Sequence, residues 1–127
     1  MAYPTEIATR DITGTFVNIV YDKTTQTYGT EPKEGFVHVS PSIKTIRSLT
    51  SDIVYDLSDL VNTYYKLDET GTFTATVMVP SDPDIEPNNW YYTVTFGWSR
   101  TPVVIPTNLL ATGSGEINIS SLYVPNG

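Results

Sequence analysis

The chain has 127 residues, 39% of them hydrophobic and 17% charged, with no cysteine and a formal net charge of −7. That length suits one domain with a single hydrophobic core, and the balance of apolar to charged residues is that of a globular chain rather than a disordered one. Without cysteine there is no disulfide framework, thiol nucleophile or thiolate metal site, and an acidic chain lacks the clustered Lys and Arg that binding to nucleic acid needs.

The charge is uneven. Residues 1–50 carry five basic and five acidic groups, whereas residues 51–127 carry nine acids against Lys66 and Arg100 alone. Such a distribution serves solubility through mutual repulsion, or it forms an acidic face that meets a basic partner. The opening MAYPTEIATRD lacks the apolar stretch of a signal peptide, and no apolar run approaches membrane-spanning length. The expectation is a soluble protein made in the cytoplasm, with no membrane partner.

In chain order, residues 1–11 read as a short N-terminal arm. TGTFVNIVY (13–21) alternates and predicts one strand, with Val17, Ile19 and Tyr21 on one face and Phe16 and Val20 partly on the other. GFVHVS (35–40) predicts a short strand stopped by Pro41. Residues 42–61 fit either short strands or a helical turn, the turn falling at Ser58–Val61. LDETGTF (67–73) predicts a tight reversal with Gly71 at positive φ. FTATVMV (73–79) then sets Phe73, Ala75, Val77 and Val79 against Thr74, Thr76 and Met78.

A further strand, WYYTVTFGW (90–98), aligns Trp90, Tyr92, Val94, Phe96 and Trp98 opposite Tyr91, Thr93 and Thr95. Short apolar stretches follow at 103–105, 117–119 and 122–124, with ATGSG (111–115) as a flexible loop between them. Nine Tyr, four Phe, two Trp and abundant Thr suit pleated, half-buried surfaces. The fold predicted is all-β: an antiparallel β-sandwich, with at most one short helical turn, spanning residues 1–127 as a single domain.

Residues 80–89, PSDPDIEPNN, raise the question of chemistry, because Asp82, Asp84 and Glu86 sit two apart. An EF-hand loop needs Gly at its sixth position and Glu at its twelfth, and these positions hold Pro87 and Thr93. The EF-hand fails, although another oxygen-ligated cation site stays open. A hydrolase built on these acids needs two carboxyls facing each other across a cleft, and it predicts loss of turnover in Asp84→Asn. The plainer reading is a stiff acidic crossover: Pro83 and Pro87 hold their neighbours extended, and Asp and Asn favour turns.

His38, the single histidine, reads as a half-exposed strand residue on the same face as Phe36. No G-x-S-x-G elbow or phosphate-binding glycine loop accompanies it. No enzyme activity and no cofactor are expected. NIS at 118–120 matches the glycosylation triplet by chance in a chain read as unsecreted. Aromatic rings on both faces of their strands make Tyr64, Tyr65, Tyr91 and Trp98 the candidate interface residues, either packed in the chain or anchoring a subunit or a sugar.

The order ITGTFVNI, GFVHVSPS, YKLDETGTFTATVMVPSDPDIEPNNWYYTVTF, VVIPTN and INISSLYVP resembles a module of tailed-bacteriophage virion proteins, the N-terminal type of minor tail and tail-fibre proteins. The resemblance covers about residues 12–125 and matches at Asp68, Gly71, Phe73, Asp82, Pro83, Asp84, Pro87, Trp90, Tyr92 and Val94. His38 departs from it, standing where the module has an apolar or aromatic residue. The chain also stops at PNG where related proteins continue into fibre or collagen-like stretches.

The resemblance implies an immunoglobulin-like or prealbumin-like sandwich without catalysis, located in a virion after synthesis in the host cytoplasm. It would serve as a tail-tip or fibre-associated component or a stand-alone head decoration protein. Its partners would be other virion proteins and copies of itself, as a homo-oligomer such as a trimer. The alternative is a carbohydrate- or host-receptor-binding module that stacks a surface glycan on Tyr64, Tyr65, Tyr91 or Trp98.

Overall fold

An alternating strand hides its apolar side only where a second layer lies on that side. The computed structural model describes residues 3–4, 7–107, 109 and 115–122, with backbone only at 61–62 and 99–101. Its strands are β1 (Thr9–Thr15), β2 (Val17–Asp22), β3 (Thr27–Pro32), β4 (Phe36–Pro41), β5 (Thr45–Ser48), β6 (Val54–Asp56), β7 (Tyr64–Lys66), β8 (Thr72–Met78), β9 (Ile85–Glu86), β10 (Tyr92–Phe96), β11 (Ser99–Ile105) and β12 (Ile117–Asn118). The fold is all-β, and its pairings are antiparallel except for β1 with β12.

Two sheets carry the core. One has the order β12-β1-β8 and the other β11-β10-β4-β7. Ile12, Phe73, Ala75 and Val77 from the first join Val37, Val39, Tyr92, Val94, Phe96, Val103 and Ile105 from the second in one buried cluster. Each of the larger side chains among them contributes roughly 1.5–3 kcal/mol on burial. The Tyr92 hydroxyl, buried with its ring, donates to the Met78 carbonyl at 2.8 Å and so links β10 to β8. Two smaller sheets, β6-β5-β9 and the hairpin β2-β3, complete the chain.

The predicted alternation of 73–79 holds: Phe73, Ala75 and Val77 are buried, and Thr74 and Thr76 are exposed. Met78 departs from it, being buried although it points away from them. The predicted reversal at 67–73 also forms. Asp68 accepts from Thr70 N, Thr70 Oγ1 and Thr72 N, and Gly71 takes φ +79°. A Cβ on Gly71 would collide with the Phe16 carbonyl oxygen, so glycine is required there twice over.

Two expectations need correction. The single strand 13–21 breaks at Phe16, whose N–H donates to Gly71 O and whose carbonyl accepts from Lys33 N. These bonds take the backbone out of the β1–β8 ladder and into a separate hairpin. Val17, Ile19 and Tyr21 therefore face water rather than the core. Among the described residues there are also two 3-10 turns instead of at most one: the turn expected at Ser58–Val61, which spans Ser58–Asn62, and a second at Ile119–Ser121. Asn118 Oδ1 accepts from Ser120 N at 2.9 Å in that second turn, which explains its N-x-S pattern as a local cap. The stretches at 111–114 and 123–124 lie outside the described residues.

Candidate functional site

The acidic connector sends its three carboxylates to three different places. Asp82 is 5% exposed. Its Oδ2 accepts from Ala8 N at 2.7 Å and its Oδ1 from Asp84 N at 2.8 Å. It thereby pins the start of β1 to a connector 74 residues away. Asp84 is exposed, and Ile85 beside it is buried.

Glu86 pairs with Arg47 at 2.8 Å, and Arg47 reaches Asp52 at 2.7 Å with its other nitrogen. Hydrogen bonds donated to Asp52 and Glu86 raise the pKa of the Arg47 guanidinium above its ordinary value. Trp90 Nε1 closes the segment by donating to Pro87 O at 3.1 Å. The connector is a clamp whose acids do not converge. Among the described residues no group of three His, Cys, Asp or Glu is placed to hold a metal ion.

Aromatic side chains converge instead on the outer face of β11-β10-β4-β7. Opposite residues on paired strands share a face, and His38 stands opposite both Tyr64 and Thr95. The His38 and Tyr64 rings stack at 4.8 Å and 24°, and Phe36 meets Tyr64 edge-on at 6.5 Å. Phe36 is 53% exposed and Tyr64 62%. Val104 and Tyr91 are also exposed, and the Tyr91 N–H donates to Ser42 Oγ at 3.0 Å.

Beside Phe36 lies an open depression of about 590 Å³, lined by Glu34, Gly35, Lys66, Leu67, Asp68 and Glu69 as well. Hydrogen bonds from Thr70 and then Thr72 hold the Asp68 carboxyl below its ordinary range. This face presents exposed rings with Glu34, Lys66, Asp68 and Glu69 beside one end of the row. His38 Nδ1 lies 3.4 Å from Thr95 Oγ1, a long hydrogen bond across the paired strands.

Of the four residues singled out by sequence, Tyr64 and Tyr91 are displayed and the other two are packed. Tyr65 is half-buried against the core, and burial raises its hydroxyl above the ordinary value. Tyr3, close enough to feel Tyr65, is pushed up to about 12, chiefly by its own burial. Trp98 packs on Phe16 at 5.1 Å and Phe96 at 5.2 Å, with Lys33 Nζ 5.2 Å from its ring. Sequence reasoning missed Phe36 as a surface residue, along with the exposed faces of β2 and β3. The available signal was β3 itself: TYGTEP has no second apolar side chain with which to bury either face.

Comparison with family models, with curated proteins and with solved structures finds no match for the chain. The fold and the exposed aromatic face are therefore the grounds for a functional reading.

Proposed function

We propose that the chain is a non-enzymatic structural protein of a bacteriophage virion, tail-tip or fibre-associated or decorating the head. It would assemble with other virion proteins and with copies of itself through sheet edges and aromatic contacts. The observation that carries this reading is the outer face of β11-β10-β4-β7, where a hydrogen-bonded sheet holds Phe36 and His38 against the Tyr64 ring, with Phe36 and Tyr64 exposed to water. Ordered aromatic side chains at a surface are characteristic anchors of protein interfaces.

The residues that carry the resemblance to phage modules agree with a scaffold role. Asp68 and Gly71 build a turn, Phe73 and Val94 fill the core, Asp82 clamps the arm, and Trp90 and Tyr92 close the connector. The test is electron microscopy of the native particle with this chain labelled. Density for the chain on the particle, lost when Phe36 and Tyr64 are both changed to Ala, is the expected result. Particles that never contain it refute the reading.

The glycan-binding reading draws on one separate observation, the depression where Lys66, Asp68 and Glu69 offer polar groups beside the exposed Phe36 ring. A glycan array with the purified chain tests it. Binding that Phe36→Ala or Tyr64→Ala abolishes favours this reading over docking to protein.

A further inference from the structure

The β2-β3 hairpin projects from the sandwich as a two-stranded ribbon with one uncharged face. Its register pairs Val17 with Pro32, Ile19 with Thr30 and Tyr21 with Tyr28, so these six share a side. Val17 is 51% exposed, Ile19 72%, Tyr21 49% and Tyr28 76%. An isolated two-stranded ribbon is at best marginally stable in water, and a third strand or a covering layer is what ordinarily sustains one.

The root of the ribbon is nevertheless firmly held. The Phe16 backbone bonds Gly71 and Lys33, and its ring packs edge-on against Phe96 and Trp98. Lys33 lies over the Trp98 ring while donating to Asn18 Oδ1.

We infer that this face packs against the same face of a second copy of the chain, the two ribbons running antiparallel about a two-fold axis near Ile19 and Thr30. Three features favour a second copy. The four exposed side chains present on the order of 500 Å² of mostly apolar surface, over half of the roughly 800 Å² that each partner gives to a standard interface.

The face also tapers. Tyr21 and Tyr28, with rings 4.9 Å apart, stand at the tip, and Val17 and Pro32 at the base. Reversing one copy lays the bulky end of each ribbon over the small end of the other, as a self-complementary two-fold contact requires. The charges fit the same arrangement. Asp22 turns its carboxylate onto Thr24 N and Thr25 N, leaving Lys23 at the tip to approach Glu34, just beyond the base of the second copy's ribbon. No charge lies within the face, so two acidic chains meet there without direct repulsion.

The contact fits the virion reading but does not depend on it, because it belongs to the purified chain and is tested apart from any particle. Sedimentation equilibrium from micromolar to hundreds of micromolar is expected to show a monomer–dimer equilibrium. Ile19→Asp and Tyr28→Lys should each weaken it at least about thirtyfold, as interface hot spots do, with circular dichroism of the monomer unchanged. In this cysteine-free chain, Ile19→Cys should cross-link two copies under mild oxidation, and Thr74→Cys on exposed β8 should not. A chain that stays monomeric throughout, a trimer, or a dimer that both charged variants leave intact overturns the inference.

Discussion

Two strands of this molecule carry nearly the same alternation and meet opposite fates. β8 places Phe73, Ala75 and Val77 on one side, and all three are buried under the second sheet. β2 places Val17, Ile19 and Tyr21 on one side, and all three face water. The difference lies in what pairs with them. β8 pairs with β1 over seven residues inside a two-layer stack, whereas among the described residues β2 pairs only with β3, in a ribbon that no second layer covers. Alternation states which residues share a face. Whether that face is core depends on a layer contributed from elsewhere in the chain.

The sharpest way to test this contrast is to truncate one residue from each strand. Phe73→Ala should cost about 3–5 kcal/mol of stability in urea denaturation, because it opens a cavity between sheets. Ile19→Ala, measured at low concentration, should stay within about 0.5 kcal/mol, since it removes nothing packed in the single chain. A comparable loss in both variants would show that the ribbon face is covered within one chain, and the contrast would collapse.

The same logic separates the acids of the connector. Asp82→Ala leaves the N–H groups of Ala8 and Asp84 without their partner, and should cost about 2–4 kcal/mol in the same assay. Asp84→Ala, at an exposed site, should change stability by no more than about 0.5 kcal/mol. Equal effects would mean that the connector works as an acidic surface and not as a clamp.

A smaller effect probes the link between the two main sheets. Tyr92→Phe keeps the ring and deletes the hydroxyl that donates to Met78 O. It should cost about 1 kcal/mol, since the carbonyl then loses its bond in a buried setting.

The gentlest probe is alkaline pH. Burial raises the hydroxyls of Tyr3, to about 12, and of Tyr92, well above 10, so the fold favours their neutral forms. Stability from these groups is complete below pH 10. It falls as pH climbs from there to about 12 and beyond, because the unfolded chain ionises first. Tyrosinate absorbance against pH should show a late-titrating component near 12 that Tyr3→Phe removes.

Much of the sandwich was legible because its signals are local. The turn at 67–73 needs only Asp68 to hold its neighbours and Gly71 to take a positive φ, and both lie within the segment. The division of 90–98 into two faces was legible for a similar reason, but which face is buried was not, and Tyr91 and Trp98 from opposite faces were both offered as interface residues. The candidate interface was read only in part. Tyr64 and Tyr65 are neighbours of one kind on one strand, so only the position of the core tells which ring faces out. Phe36 was grouped with half-exposed His38 on one face but not named as an interface residue, and the buried side of β4 belongs to Val37 and Val39.

What the chain determined by itself is the all-β class, the grouping of residues by face, and the turn chemistry at Gly71, all of which follow from backbone sterics and nearest neighbours. Tertiary structure decided the break at Phe16, the burial of Asp82 through its bond to distant Ala8, and the exposure of Ile19 and Tyr64. Each of these depends on which distant segment supplies the covering layer or the missing hydrogen-bond partner, and no local pattern encodes that.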